Sequence, residues 1–304
     1  MPEVAAAGIP SSSDDSDIGR QIRKWFQSSQ DATADWRDEA IELYDLYSGH
    51  QFTEDEWAFM RDRANPITPI QMNRILPFID MVVGHQIMNR NDIKYFPRKL
   101  GAAEVNELLT ETIKWADEGC DAQEAVTEAF QDMLICGMGW IEIYMDFNEN
   151  SEGKLVSAER ISPLQMYWDE DSTKRNIMDA GHVIRAKWYP KDDAESQFPE
   201  IKQYYAMDGD PDELYPGRSQ TFATDYGETG QGKMWYRRGK DEYLILQTQY
   251  LKTVSVYSDE YGKEISSKLG SRLKKLGYPV TRASKKIAYQ VFSYGPHILE
   301  HTVA

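Results

Sequence analysis

Apolar residues recur every three or four positions through the first half of the chain, which predicts amphipathic helices. The first of these begins near Asp31, carries Trp36 on its apolar face and can end at Gly49. Thr53 and Glu56 have the spacing of a capping box, so a second short helix follows. The pattern therefore predicts a helical region that starts about thirty residues into the chain.

Three further helices follow from the same periodicity. Pro77 is placed to open one of them, whose apolar stripe is expected to face a core and consists of Phe78, Ile79, Val82, Val83 and Ile87. Ile93 to Pro97 is typical of a short strand that ends at proline. The other two helices are marked by Val105, Leu108, Leu109 and Ile113, and by Ala125, Val126, Ala129, Phe130, Met133 and Leu134.

Beyond Gly137 the period changes from helical to strand-like. Ile141, Ile143 and Met145 alternate with polar residues, which predicts a half-buried strand. Strands near 155–161, 165–168 and 182–188 would complete an antiparallel meander behind the helices, and one more helix would run from Tyr189 to about Tyr205. Because strands and helices are grouped and do not alternate, the predicted class is α+β.

The rest of the chain has a different composition. A loop rich in Gly, Asp, Pro and Ser covers about 208–232 and is long enough to be a boundary. After it we expect a strand over 243–257, a basic helix near 266–276 and a hairpin of 286–292 with 297–303, with the last strand at a sheet edge. These features predict four parts: a flexible acidic arm (1–30), an α+β core (31–190), a helix with a boundary loop (191–231), and a smaller α/β region with the basic helix and the hairpins (232–304).

Composition and charge restrict the function. The 304 residues are 41% hydrophobic, no stretch is long and apolar enough for a membrane span, and no secretion signal is evident, so a soluble folded chain is expected. Two cysteines offer no disulfide framework. The net charge of −16 disfavours a protein that grips DNA phosphates. Within 252–286, however, nine Lys/Arg face three Asp/Glu, a local balance of +6.

Three catalytic or metal-binding patterns are weak. The string Gly227-Glu-Thr-Gly-Gln-Gly232-Lys233 has the spacing of a phosphate loop, but Met234 stands where Ser or Thr should hold magnesium. His297-Ile-Leu-Glu300-His301 matches a zinc protease string that needs a helix, whereas its flanks favour a strand, in which the two histidines lie about 13 Å apart.

The third pattern is acidic. Asp169, Glu170 and Asp171 with Asp179 could hold a divalent cation, but an acidic turn between strands is the simpler interpretation. The same ordinary interpretation applies to Cys136, a buried thiol, and to the isolated histidines His50, His85 and His182. We therefore expect no catalytic residue, no metal and no cofactor.

The basic segment is the candidate functional site. It could be a solvated helix face, a contact for an acidic protein partner, or a contact for nucleic-acid phosphates. Its residues are Lys263, Lys268, Arg272, Lys274, Lys275, Arg282, Lys285 and Lys286.

A series of short motifs in a fixed order resembles the portal proteins of tailed phages of the P22-like type. The motifs are Asn73-Arg-Ile-Leu-Pro77, Gly84, Arg90-Asn-Asp-Ile, Pro97-Arg, Cys136-Gly-Met-Gly-Trp-Ile-Glu-Ile-Tyr-Met-Asp146, Ile161-Ser-Pro163, Tyr167-Trp-Asp169, Asp179-Ala-Gly-His-Val and Trp188-Tyr-Pro190-Lys. The resemblance covers roughly residues 35 to 304, and it implies that 31–190 is wing-like and that 232–304 is similar to the lower stem and clip of such a portal.

This resemblance implies a non-enzymatic ring, usually a dodecamer, at one capsid vertex. Double-stranded DNA would be packaged through it by the terminase and later ejected, and the ring would also meet the capsid or scaffolding protein and a tail adaptor. The protein would be a virion component assembled in the host cytoplasm, without a membrane partner. Portals of this type continue with a second stem helix, a tunnel loop and a crown, for which this sequence has no counterpart.

Two alternatives remain open at the level of sequence. One is a metal-dependent acidic hydrolase or nuclease that uses Asp169, Asp171 and Asp179. The other is a protein-interaction scaffold that shares the same core but does not close into rings. Metal titration would identify the first, and electron microscopy of the purified protein would identify rings.

Overall fold

A computed structural model describes residues 12–62, 70–90, 94–96, 103–145, 156–207, 235–237, 240–258, 264–265, 272–276, 278 and 281–303. Contacts divide these residues into two units. Residues 35–164 form the helical unit, and the described residues before 35 and after 164 form the sheet unit. The class is α+β, as the sequence predicts.

The helices are α1 (Ser12–Ala32), α2 (Ala34–Ser48), α3 (Glu54–Arg61), α4 (Ile75–Met88), α5 (Ala103–Gly119), α6 (Ala122–Cys136), α7 (Lys191–Gln197) and α8 (Ile201–Met207). The strands are β1 (Trp140–Met145), β2 (Val156–Ile161), β3 (Met166–Trp168), β4 (His182–Pro190), β5 (Tyr236–Arg237), β6 (Glu242–Ser258), β7 (Glu264–Ile265), β8 (Thr281–Tyr294) and β9 (His297–Val303). A 3-10 helix covers Pro163–Gln165.

The local signals for helix ends are confirmed. Thr53 and Glu56 form the predicted capping box of α3. Gly49 follows α2 with φ +92° and Gly137 follows α6 with φ +84°, a left-handed conformation that glycine adopts without steric cost.

Helix α6 is the centre of the helical unit, since α4, α5, β1 and β2 all pack on it. Asn73 positions α4, because its side chain donates to the Tyr47 carbonyl (2.8 Å) and accepts from the first amides of the helix. At the other end of α4, Arg90 donates to Gln123 (2.9 Å) and Thr127 (2.8 Å) of α6. Two residues of the family-like motifs therefore fix α4 in place.

A buried polar cluster joins α2, α6 and β2. Asp132, which is 3% exposed, accepts from Arg160 Nη2 (2.8 Å) and from the Tyr44 hydroxyl (2.8 Å). Burial, followed by the bond to Asp132, raises the pKa of Tyr44 far above its ordinary value. The Cys136 thiol donates to the Asp132 carbonyl (3.2 Å), and burial raises its pKa, which fits the predicted core thiol.

The predicted core-facing stripe of α4 is wrong in its orientation. Of its five residues only Ile79 is buried, whereas Phe78 is 63% exposed. Helix α5 likewise exposes Val105, Leu108 and Leu109. Periodicity identified both helices but not the side that a neighbour covers.

The predicted meander is split between the two units. Strands β1 and β2 form an antiparallel pair of their own, whereas β3 and β4 join the larger sheet, because β4 pairs with β6 from Pro190 to His182. Residues 94–96 contain no strand, contrary to the prediction for 93–97.

The sheet unit contains an antiparallel sheet in the order β3-β4-β6-β8-β9, with β5 and β7 also paired to β6. Both faces of β6 are buried from Tyr243 to Leu246. Helix α1 covers the face that carries His182 and Tyr250, and α7 and α8 pack against the opposite face through Phe198, Tyr204 and Tyr205. As predicted, β9 is an edge strand.

Helix α1 corrects the prediction of a flexible arm over 1–30. From Ser12 onward the chain is helical, and Ile22 and Phe26 are fully buried against the sheet. Each such side chain contributes about 1.5–3 kcal/mol on burial. The arm was predicted from its acidic and serine-rich composition. Ile18, Ile22 and Phe26, however, have a helical spacing that places them on one face.

The predicted helix over 189–205 is two helices. Helix α7 ends before Phe198, and α8 begins at Ile201. Pro199 accounts for the break, because the residue before a proline is disfavoured in the helical conformation.

Candidate functional site

The candidate site is a two-stranded ribbon at one end of the large sheet. Strand β4 pairs with β6 only as far as Tyr250, and β9 pairs with β8 only from Tyr289 onward. Strands β6 and β8 continue beyond both of these neighbours, from the pair Leu251–Ala288 to the pair Ser258–Thr281, and at the far end the short strand β7 pairs with Tyr257 and Ser258 of β6. These eight pairs, which we call the basic ribbon, extend about 24 Å at 3.4 Å per residue.

The basic ribbon carries cations and no carboxylate within its two strands, the cations being Lys252, Arg282, Lys285 and Lys286. Lys285 lies opposite Val254, and Lys286 lies opposite Thr253. Since neighbours along a strand point to opposite faces, Lys285 shares one face with Lys252, and Lys286 lies on the other. Positive charge is therefore present on both faces.

The structure divides the predicted basic set into three groups. Arg272, Lys274 and Lys275 lie in or next to a single helical turn over 272–275 and are exposed. Lys285 and Lys286 are exposed on the basic ribbon, and Arg282 pairs in register with Tyr257. Lys263 and Lys268 lie outside the described residues, as does most of the predicted basic helix.

The sequence identified the basic residues but not how they are carried. It predicted a basic helix near 266–276 and a hairpin strand that starts at Lys286, whereas three of the eight residues, Arg282, Lys285 and Lys286, lie on a strand that begins at Thr281. Residues 251–258 are rich in the strand-favouring types Val, Thr and Tyr, whereas 281–288 contain only Thr281 and Ile287 of such types and gave no clear strand signal; both segments lack acidic residues.

The acidic residues around 169–179 organise the connection between β3 and β4. The Asp179 carboxylate accepts bonds from Ser172 Oγ (2.7 Å) and from the Thr173 amide (2.9 Å), which hold its pKa well below the ordinary value. Asp169 accepts from the Gly181 amide (2.8 Å) and from the Asp171 amide (3.2 Å). The carboxylates thus stabilise a turn, as the simpler interpretation of the sequence expected.

His182 lies beside this turn under α1. Its ring stacks on Trp25 with centroids 4.7 Å apart, and Nδ1 lies 3.9 Å from Asp169 Oδ2. Burial lowers the pKa of His182, although Asp169 and Glu170 oppose that shift. His182 is therefore a buried neutral histidine that holds α1 on the sheet.

The remaining sequence candidates do not assemble a catalytic site in the described part of the chain. His297 and His301 lie on strand β9, as predicted, where His297 stacks on Tyr204 and His301 Nε2 lies 3.3 Å from the Tyr250 hydroxyl. The described residues contain no group of three His, Cys, Asp or Glu side chains placed to hold a metal. His50 and His85 are exposed.

The phosphate-loop string over 227–233 lies outside the described residues, as does Met234. None of the helices within the described ranges is both long and apolar enough to cross a membrane.

An acidic α+β chain that carries a basic ribbon fits a structural protein that binds through its surfaces. The model of the phage P22-like portal protein family matches residues 23–302, nearly the whole chain, and the chain belongs to that family. Membership supports the role of a phage portal, which is a structural component of the virion. No curated protein matches the chain.

Proposed function

We propose that copies of this protein form a ring, usually of twelve, at one vertex of a phage capsid, and that double-stranded DNA is packaged and ejected through the ring. The observation that carries this proposal is the family match over residues 23–302. The ring would also contact the capsid or scaffolding protein around it, and it would assemble in the host cytoplasm.

The charge of the chain supports a passive conduit. At −16 per copy, a ring repels DNA phosphates on the whole, so a duplex can slide without the counterion-releasing contacts that hold DNA-binding proteins in place. We propose no bond chemistry for this protein. The acidic turn does not favour the hydrolase alternative, because Asp169 and Asp179 already accept bonds from amide groups of the same turn.

We further propose that the basic ribbon and the turn over 272–275 dock the terminase during packaging and the tail adaptor afterwards. The support is electrostatic: this is a cationic surface on an otherwise acidic chain, which fits an acidic protein partner. We propose that the regions 31–190 and 232–304 correspond to the wing and to the lower stem and clip of the portal.

Electron microscopy tests the ring directly. Purified full-length protein is expected to form rings with a central channel, and antibodies against the chain are expected to label intact virions at one vertex only. Labelling over the whole capsid, or virions without label, would contradict the proposal.

A genetic experiment tests the conduit. A stop codon early in the gene is expected to yield capsids that contain no DNA, together with unpackaged DNA in the cell, and the wild-type gene supplied in trans should restore filled capsids. Filled, tail-less capsids in the absence of the protein would assign it to a step after packaging.

A further inference from the structure

Helices α4 and α5 each expose an apolar seam that nothing in the described helical unit covers. Four residues of α4 at spacings of three, four and three form the α4 seam: Phe78, Met81, His85 and Met88. Its three apolar members are 63%, 63% and 86% exposed. The inner side of the helix, with Ile79 and Gln86, faces α6.

Helix α5 repeats the arrangement. Val105, Leu108, Thr112 and Trp115 have the same three, four and three spacing, and we call them the α5 seam. Val105 is 58% exposed, Leu108 64% and Trp115 65%. None of the residues of α5 whose side chains are described is buried. Single exposed apolar residues are ordinary on a protein surface, but continuous rows of large ones mark an interaction site.

The spacing of both seams indicates what kind of surface would cover them. Positions three and four apart lie on one face of a helix, and two helices with this repeat pack along each other with their side chains interdigitated. A helix with the same repeat is thus the complementary partner for each seam. The helical unit offers two such helices, both packed against α6, so neither seam needs a foreign protein to cover it.

Charge disfavours one of the three possible pairings, that of α5 with α5. The α5 seam is flanked by a row of exposed glutamates seven residues apart, Glu104, Glu111 and Glu118. Pairing of α5 with α5 would bring two such rows together and is disfavoured by like-charge repulsion. The positions that flank the α4 seam, Pro77, Val82, Gly84 and Asn89, carry no charge, and the only carboxylate of α4, Asp80, accepts a bond from the Tyr47 hydroxyl (3.3 Å).

We propose that the α4 seam of one copy packs against the α5 seam of the next copy. This proposal deepens the proposed ring and rests on it. Two unlike, complementary surfaces are what a head-to-tail ring requires, because pairing of identical surfaces ends at a dimer. The contact also supplies apolar burial between copies that each carry a charge of −16 and therefore repel one another.

Cross-linking between differently tagged copies tests the pairing. Full-length chains carry either Met81→Cys or Leu108→Cys, each with Cys120→Ser so that the partly exposed native thiol does not react. A short bismaleimide is expected to join the two chains when they are mixed, and to join neither chain to itself. The matched control replaces Met81→Cys by Met133→Cys, a 44% exposed methionine of α6 outside both seams, and is expected to give no product.

A second measurement uses assembly. Met81→Glu places a charge inside the contact and is expected to raise the protein concentration needed for half-assembly by more than about tenfold, the equivalent of 1.4 kcal/mol. Met133→Glu makes the same substitution outside the seams and should assemble as the wild type does. Circular dichroism of both variants verifies that each one folds.

The possible outcomes separate this inference from the ring itself. Rings without the Met81–Leu108 product, or rings unaffected by Met81→Glu, overturn the seam pairing and leave the ring standing. The cross-linked product in open chains without closed rings supports the pairing and overturns the ring. If neither the cross-linked product nor rings are found, both the seam pairing and the ring are overturned. Intact rings of Met81→Glu that no longer enter capsids would assign the α4 seam to a capsid contact.

Discussion

At the scale of single residues, the buried Asp132 and the exposed Asp179 hold parts of the fold together through hydrogen bonds. Asp132 joins Arg160 and Tyr44, and Asp179 gathers the amides of a turn. In each case the acceptor oxygens are occupied by donors of the chain itself. Perturbed pKa values are often a mark of active sites, but structural networks perturb them as well, and that explanation applies here.

Asp132→Ala is expected to lower the free energy of unfolding of the helical unit by about 2 kcal/mol. The substitution leaves Arg160 and Tyr44 without their acceptor, and because the Arg160 side chain is 35% exposed, the loss is smaller than for a fully buried pair. Hydrogen exchange of the α6 amides measures this change in the free energy of unfolding. Glu159→Ala, which removes an exposed acceptor of Tyr144, is the control and should change stability by less than about 0.5 kcal/mol. Equal effects of both variants would contradict the assigned role.

His182 gives the sheet unit a pH dependence. Its pKa is lowered from 6.5 on folding, so the unfolded chain binds the proton more tightly than the folded one. The stability that His182 contributes is fully present above pH 6.5 and is lost as the pH falls below that value. The measurement is the slope of unfolding free energy between pH 7.5 and pH 5.5. His182→Gln should flatten this slope. A wild-type slope in His182→Gln would refute the argument.

At the scale of elements, α1 packs on the sheet through a close backbone approach. The helix contacts β9 near Gly19 and β3 near Phe26, and Ser28 Oγ donates to Glu170 (2.7 Å) beyond β3. The approach at Gly19 leaves no space, since a Cβ atom there would lie 1.9 Å from the Pro296 carbonyl oxygen. Backbone meets backbone at this point, so no side-chain movement can relieve a substitution.

Gly19→Ala is therefore expected to displace α1 and to destabilise the sheet unit by about 3 kcal/mol. Limited proteolysis near the N-terminus, together with hydrogen exchange of α1, reports the displacement. Gly84→Ala in α4 is the matched control, because nothing lies within 4 Å of its added Cβ, and it should be neutral or stabilising by up to about 1 kcal/mol. An undisturbed α1 in Gly19→Ala would show that this packing is incorrect.

At the scale of the whole molecule, the uneven charge separates two tasks. The chain carries −16 overall, while the strands of the basic ribbon carry four cations and no carboxylate. In the proposed function, repulsion of DNA phosphates and attraction of an acidic protein therefore belong to different regions of one subunit. Both belong to surfaces, which is consistent with a structural family.

Reversing Lys274, Lys275, Lys285 and Lys286 to Glu is expected to abolish binding of the terminase or the adaptor without unfolding the subunit, because all four are exposed. A pull-down with each partner measures binding, and circular dichroism verifies that the variant is folded. The pair Lys285→Glu and Lys286→Glu can be compared with Lys174→Glu and Arg175→Glu, which reverse the same charge on an exposed turn outside the basic ribbon. Unchanged binding in the fourfold variant would remove this surface from the docking site.

The sequence by itself determined the local structure and the charge distribution of this protein. The capping box at Thr53, the helix ends at Gly49 and Gly137, and the strand of His297 and His301 follow from interactions between residues a few positions apart. Such short-range preferences are visible in a sequence because both partners lie in the same short window.

Only the tertiary structure decided which surfaces are covered. It placed α1 on the sheet through Ile22 and Phe26, and it exposed the stripe of Phe78, which periodicity had directed toward a core. It also placed β4 beside β6, whereas the sequence predicted β4 in one meander with β2. The physical reason is that burial and strand pairing depend on residues far apart in the chain, and amphipathic periodicity marks a face without naming the partner that covers it.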